Sequence, residues 1–435
     1  MKFSPNPNAV TLLSGSSSAV IIRSAGIGLS SVTQVVLARQ LGAAQYGIFT
    51  FALALGAVLL TFAKLGFDKS LIRFVAQYSV EKRYHLLGEL LRKSTAFVLM
   101  SSMVISVLAF LVVNSLHDYR LYSGNKTFLI VCILIPPLAL TACREGIMKG
   151  FKLIEAALIP DNILRRIFML SGLGILSVLK ISLTALGAMV VYAVAVIGAA
   201  VIGFVWCWKR LPVNRGTFHF PGKLYNWLRV SVSFMLISGL NLVLERTDII
   251  MAGFYLESNS LGVYASASKV SSLVYFGLPA IVVIVGPMIS ELYATGQLSE
   301  LQRLVRYASL GAVIYATSVG VLLVFGGEHI LNLFGTDFST GYNTLVFLVI
   351  SQAINAFSGP TASLLIMTEF ERSAVRILVI GALCNIGLNF LFIPALGMEG
   401  AAVATTITVL LWNVLMLFCI KRNLALQSGI FSLFR

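Results

Sequence analysis

Seven cations stand inside long apolar stretches of this sequence: Arg23, Lys64, Arg144, Arg165, Arg166, Arg246 and Lys269. Four carboxylates share those stretches, Glu145, Asp161, Glu245 and Asp248. A Lys or Arg at hydrocarbon depth costs about 2.5–3.5 kcal/mol on insertion scales, so each needs a nearby water interface, a partner or a hydrated cavity. The acids are too few to neutralise the cations. A cavity with that excess attracts an anion and repels a cation. A guanidinium grips phosphate oxygens through two parallel N–H donors. A pyrophosphate ester, with about two negative charges at neutral pH, is the kind of group this chemistry suits.

Depth along each stretch separates these residues. Lys64 and Arg144 lie within about four residues of a cytoplasmic end, where a long side chain reaches water by snorkelling. Arg23 lies about six residues in, roughly 9 Å at 1.5 Å per residue, and Arg165 and Arg166 about eight residues in, roughly 12 Å. Adjacent helical positions point about 100° apart, so Arg165 and Arg166 cannot both face one cavity squarely. Lys269 lies about eight residues below the outer end of its stretch. Arg246 stands within Glu245-Arg246-Thr247-Asp248, where a local ion pair competes with a cavity role. The candidate cationic site is therefore Arg23, Arg246 and Lys269 with Arg165 and Arg166. Glu245 and Asp248 are the candidate charge partners or ion-coupling carboxylates.

Other chemistries lack their residues. Cys132, Cys143, Cys207, Cys384 and Cys419 form no Cys-x-x-Cys pair, and His85, His117, His219 and His329 are far apart, so neither a disulfide framework nor a metal site is expected. No cofactor is implied. There is no phosphate-binding loop of the Gly-x-x-x-x-Gly-Lys-Ser/Thr type and no Ser/His/Asp set in an extramembrane segment. Gly26-x-Gly28 reads as a small-residue pair for helix packing. An enzyme is not expected.

The elements that position these charges are membrane-spanning helices. Of 435 residues, 58% are hydrophobic and 11% are charged, against about 25% charged in ordinary soluble domains. The mean hydropathy is +0.92. A span needs roughly 20 apolar residues. Twelve are expected, near 17–38, 45–66, 93–115, 127–148, 157–180, 184–208, 230–256, 261–289, 305–325, 341–366, 374–394 and 399–420. The N-terminal run carries Arg23 and continues for a full span, so it reads as the first helix rather than a signal peptide.

The net charge of +15 would suggest nucleic acid in a soluble protein, but its distribution argues otherwise. With alternate loops on opposite sides, one side collects most of the cations, including Lys69, Arg73, Lys82, Arg83, Lys152, Arg215, Arg303 and Arg372. The other side holds only Arg39, Arg120, Lys126 and Lys180. That asymmetry places both termini in the cytoplasm. In the cytoplasmic connection 67–92, Leu71, Ile72, Phe74, Val75, Tyr78, Leu86 and Leu87 alternate with Lys69, Arg73, Lys82 and Arg83, a pattern expected to lie against the membrane surface.

The two halves share marks in register. Gln45-Tyr46-Gly47-Ile48-Phe49 opens the second span and Ser260-Leu261-Gly262-Val263-Tyr264 the eighth. Cys207-x-Lys209-Arg210 ends the sixth and Cys419-x-Lys421-Arg422 the twelfth. With Ile147-Met148/Ile366-Met367 and Gly187-Ala188/Gly400-Ala401, the matches recur at a nearly constant offset, which indicates a 6+6 repeat. Six spans per half give both halves one orientation, so the pseudo-twofold axis runs along the membrane normal. The expected fold class is all-α, with two six-helix bundles at 1–215 and 216–435.

Arg39-Gln40-Leu41-Gly42-Ala43-Ala44-Gln45-Tyr46-Gly47, Leu65-Gly66-Phe67-Asp68-Lys69-Ser70 and Arg246-Thr247-Asp248 followed by Leu261-Gly262-x-Tyr264-x-x-Ala267-x-Lys269 resemble the polysaccharide (O-antigen) flippase family. These are the Wzx-type members of the MOP exporter superfamily. Pro394-x-Leu396-Gly397-x-x-Gly400-Ala401-Ala402 is similar to a stretch common across that superfamily. The resemblance covers about residues 10–425. It implies a V-shaped pair of bundles and alternating access. The implied substrate is an undecaprenyl-pyrophosphate-linked oligosaccharide carried from the inner to the outer leaflet of the cytoplasmic membrane. Arg23, Arg246 and Lys269 would hold the pyrophosphate. Membrane lipids and other polysaccharide assembly proteins are the implied partners. Two relatives of different cargo compete: a lipid II flippase, which usually has two further C-terminal helices, and a cation-coupled multidrug exporter, which needs cavity carboxylates. A membrane glycan polymerase or ligase would keep a large outer loop, whereas the longest here, 326–340, has no Lys or Arg.

Overall fold

A computed structural model describes residues 7–115, 125–210, 224–424 and 426–434. Every regular element among the described residues is helical. Lys2, His117, Arg120, Arg215, His219, Lys223 and Arg435, which enter the charge and histidine arguments, lie outside the described residues, as does the expected boundary at 215/216.

The first two spans are one helix, α1 (Pro7–Ala63), bent where Gly42 takes φ 71° and ψ 167°. Only glycine adopts such a conformation without a Cβ penalty, so two spans meet with no loop. After α2 (Phe67–Val80), α3 (Tyr84–Ser115) and α4 (Asn125–Gly150) comes a fifth span in three pieces: α5 (Ile154–Ile159), a π-turn (Pro160–Leu164) and α6 (Arg165–Val178). Then follow α7 (Ala185–Arg210), α8 (Leu224–Tyr255), α9 (Ser258–Tyr275), α10 (Gly277–Ala294) and α11 (Leu298–Asn332). A 3-10 turn (Thr336–Gly341), α12 (Tyr342–Phe357), α13 (Thr361–Met367) and α14 (Glu371–Leu424) complete the spans, and a second 3-10 turn (Gly429–Phe434) follows. Like α1, α14 joins two spans at a glycine bend, Gly397 at φ 62° and ψ −137°. Nine stretches among the described residues are long and apolar enough to cross a membrane. Two of these hold two spans each, and the interrupted fifth adds another, so each expected span has a helical counterpart.

The described chain forms two compact units. One comprises 1–41 with 52–242, and the other 42–51 with 243–435. The first buries Phe67, Leu71, Leu87, Leu90, Ile135 and Met148 together. The second buries Ile289, Leu301, Val305, Leu364, Leu365 and Ile420. Outward faces stay apolar: Met100, Val104, Val107, Leu108 and Leu111 on α3 are all exposed. A helix whose unpartnered face is apolar suits a hydrocarbon solvent.

The connection 67–92 corrects the expectation of a surface-lying segment. Its first part is the helix α2, and the apolar face of α2 is buried inside the protein. Phe67, Leu71, Phe74, Val75 and Tyr78 are buried there, with Leu87 and Leu90 from α3. Two glycines on α4, Gly146 and Gly150, admit the α2 backbone: a methyl added at Gly150 would stand 2.6 Å from Cβ of Val75. The start of α8 covers the same helix. Trp227 Nε1 donates to Tyr78 Oη at 3.0 Å, and the hydroxyls of Ser70 and Ser231 share a hydrogen bond of 2.5 Å. An apolar helix face reads the same in sequence whether lipid or protein covers it; here protein does.

Candidate anion-binding site in the first unit

The fifth span is broken where its charges lie. Pro160 has no N–H to give the ladder. The ladder resumes when the Arg165 amide donates to the Pro160 carbonyl, an i→i+5 bond. Such π-turns cluster at functional sites because they re-aim side chains within an otherwise regular helix.

Asp161, within this turn, is shared by two guanidiniums. Its Oδ2 accepts from Arg144 Nη2 at 2.6 Å. Its Oδ1 is 3.9 Å from Arg165 Nη1, an ion pair too long for a hydrogen bond. The Arg144 side chain is fully buried, and its Nη1 donates to the Ala156 carbonyl at 2.9 Å. On α7, Gly203 makes the room: a methyl there would lie 2.8 Å from Arg144 Cζ. The Nε atoms of both Arg144 and Arg165 are buried without a hydrogen-bond partner. Arg166 is half-buried beside them. Glu145 does not offset this charge, since Lys149 holds it at 2.5 Å. Two guanidiniums thus share one available carboxylate, with Arg166 next to Arg165 in the chain.

This corrects the reading of Arg144 as a snorkelling side chain. Six residues from the end of α4, it turns inward because Asp161 and the Ala156 carbonyl lie within reach. Lys64, read in the same way, is half-buried and paired with Asp68 at 2.8 Å. The signal for Arg144 was faint: an acid directly after a span-interior proline, seventeen residues away in the chain.

Arg23 is exposed on α1, in the same unit. One turn further along α1, Gly26 packs on the π-turn: a methyl there would stand 2.9 Å from Cβ of Asn162. The first unit therefore brings the Arg23 helix alongside the segment carrying Asp161, Arg165 and Arg166.

The remaining predicted residues belong to the second unit. On α8, Glu245 and Arg246 are exposed while Thr247 and Asp248 are buried. Asp248 Oδ2 accepts from Tyr264 Oη at 2.6 Å, and its Oδ1 from the Ile249 amide at 2.8 Å. Among the described residues no ion pair within 4 Å joins Arg246 to Asp248 or Glu245. Lys269 is half-buried on α9. In sequence, Tyr264, the partner of Asp248, stands out only as part of the motif Leu261-Gly262-x-Tyr264. The motif itself is a packing device. A methyl at Gly262 would stand 3.0 Å from the Gly47 amide nitrogen, so the matched glycines of the two halves lie against one another.

Residues 12–293 match the family described as polysaccharide biosynthesis protein. The uncharacterized membrane protein MJ1068 of Methanocaldococcus jannaschii is 23% identical over 402 residues, which cover 87% of this chain and 77% of that protein. The probable low-salt glycan biosynthesis flippase Agl15 of Haloferax volcanii is 22% identical over 391 residues, 88% of this chain and 78% of that one. Among solved structures, the lipid II flippase MurJ in an inward closed conformation superposes with a TM-score of 0.75 at 15% identity, covering 96% of this chain and 89% of that chain. An inward-facing multidrug resistance MATE transporter of the MOP superfamily also gives 0.75, at 12% identity, covering 91% and 94%. At such identities these likenesses establish the fold alone, the all-helical fold that those two structures share with this chain. The family match spans well over half of the sequence, and the chain belongs to the polysaccharide biosynthesis protein family.

Proposed function

We propose that the protein is a lipid-linked oligosaccharide flippase. It moves an undecaprenyl-pyrophosphate-linked glycan repeat unit from the inner to the outer leaflet of the cytoplasmic membrane, by alternating access, for surface polysaccharide assembly. Both termini are cytoplasmic, and the six-span halves 1–215 and 216–435 move as the alternating bodies. The observation that carries this reading is that Arg144 and Arg165 share Asp161 in mid-span, with the half-buried Arg166 next in the chain. A guanidinium excess inside a helical bundle is matched to a polyanion and repels organic cations. Family membership and the flippase names of the two Haloferax volcanii relatives, Agl15 and AglR, support it. Arg23 in the first unit and Arg246 and Lys269 in the second are the further cationic positions of this reading, and Glu245 and Asp248 are its candidate ion-coupling carboxylates. The reading assigns transport and no bond-making chemistry.

Flipping of an undecaprenyl-pyrophosphate-linked sugar by purified protein in proteoliposomes tests the assignment. Arg23→Gln removes a charge and keeps polarity, so flipping falls; Arg23→Glu repels the anion and flipping falls further. Flipping at the wild-type rate by Arg23→Glu overturns the reading. One observation favours a cation-coupled exporter: Asp248 is a buried carboxylate within a span. Ethidium transport by the same proteoliposomes would decide for that alternative. Rescue of cells depleted of their lipid II flippase would instead assign that cargo.

A further inference from the structure

Resting on the phosphate-binding reading above, we propose that Asp161 is an internal competitor for the substrate anion. It holds Arg165 while the site is empty and takes it back when the pyrophosphate leaves. Arg165, rather than Arg166, is then the anion's ligand in the fifth span, and Arg144 is a positioning residue that acts through Asp161.

The two ion pairs on Asp161 are unequal. The Arg144 bond is short, lies on a wholly buried side chain and is seconded by the Ala156 carbonyl. The Arg165 pair is long, at 3.9 Å, and Arg165 has a buried Nε with no partner. Arg144 therefore fixes the carboxylate in place, and the carboxylate restrains Arg165 without satisfying it. A dianion offers Arg165 the bidentate contact that a carboxylate already committed to Arg144 does not. A site of pure positive charge would bind a pyrophosphate and keep it. One fixed carboxylate within reach lowers the affinity by supplying the same guanidinium with an alternative partner. That suits a carrier, whose cargo must leave on the far side. The i→i+5 turn places both residues at this spot: with Pro160 opening the ladder, Asp161 and Arg165 sit a turn apart on the same loosened segment.

The test measures binding of inorganic pyrophosphate to the detergent-purified full chain, and flipping of an undecaprenyl-pyrophosphate-linked sugar in proteoliposomes. Asp161→Asn should tighten pyrophosphate binding about tenfold while flipping slows, because release is impaired. Arg165→Gln should abolish most of the pyrophosphate affinity, and Arg166→Gln should weaken it less. A merely structural Asp161 would give weaker binding and slower flipping together, and that result overturns the proposal. If Asp161→Asn does not fold, the double variant Arg144→Met with Asp161→Leu removes both charges of the buried pair and should again bind more tightly. Failure of both to fold makes the carboxylate purely structural and equally overturns the proposal. Glu145→Gln removes a nearby carboxylate that Lys149 holds, and should leave affinity unchanged; equal tightening there would make the effect one of bulk charge and overturn the assignment to Asp161. If the unaltered protein binds no pyrophosphate, the phosphate reading itself fails. If it binds and Asp161→Asn is no tighter, only the competitor fails.

Discussion

Arg144 and Arg246 are both guanidiniums in membrane-spanning helices, and the surrounding packing gives them opposite work. Arg144 is fully enclosed, its carboxylate partner is nearly so, and Gly203 leaves space for its head group. Arg144→Ala strands Asp161 without its main partner, so a loss of about 3–5 kcal/mol of stability is expected. Gly203→Val should harm the same pair by displacing the guanidinium. Arg246→Ala removes an exposed side chain and should change stability by no more than about 0.5 kcal/mol. On the proposed flippase reading its effect falls on transport. The expected pattern is a lower unfolding temperature with reduced protein level for Arg144→Ala, and normal unfolding with impaired flipping for Arg246→Ala. Thermal unfolding in detergent, set beside flipping at matched protein levels, reads this directly. An Arg144→Ala protein as stable as the unaltered chain would refute the buried-pair argument.

At the scale of elements, glycines decide how closely helices meet. Gly47 and Gly262, at matched positions of the internal repeat, let the second half of α1 and the start of α9 touch backbone to backbone. Without a hydrophobic drive between helices in lipid, such close approach is a main source of association. Gly262→Val would push its side chain against the Ala43 carbonyl and should cost about 1–3 kcal/mol, whereas Gly28→Val, where a methyl meets nothing within 4 Å, should be mild. Helix α2 gives a second test. A cysteine at Phe74 should resist a water-soluble maleimide until the protein is unfolded, while one at Val80, which is 80% exposed, should react at once. Prompt labelling at Phe74 would restore the view of α2 as an open surface helix. Sequence periodicity identified the apolar side of this segment correctly. What it could not supply was the cover, because Gly146, Gly150 and Trp227 come from distant parts of the chain.

For the whole molecule, sidedness is the central prediction. In a cysteine-free background, Lys152→Cys should be labelled by an impermeant reagent from the cytoplasmic face and Lys180→Cys only from the outer face; both residues are exposed. The reverse pattern would invert the charge-derived orientation. Much of this protein was readable in one dimension. A low share of charge, long apolar runs and loop cations that sort by side specify a helical membrane protein and the place of each span, since each is a property of a short window of residues. The Arg39–Gly47 and Arg246–Lys269 motifs pointed to its family for the same reason. The connection between spans one and two was legible, but its form as a single bend at Gly42 was not, because many backbone paths suit the same Leu-Gly pair. Tertiary structure alone decided which charges are spent on each other. Arg144 could reach water or Asp161 from its position in the chain, and Asp248 could have met Arg246 rather than Tyr264. Pair energies depend on distances across packed helices and on the room glycines leave there, and hydropathy and charge order along the chain carry neither.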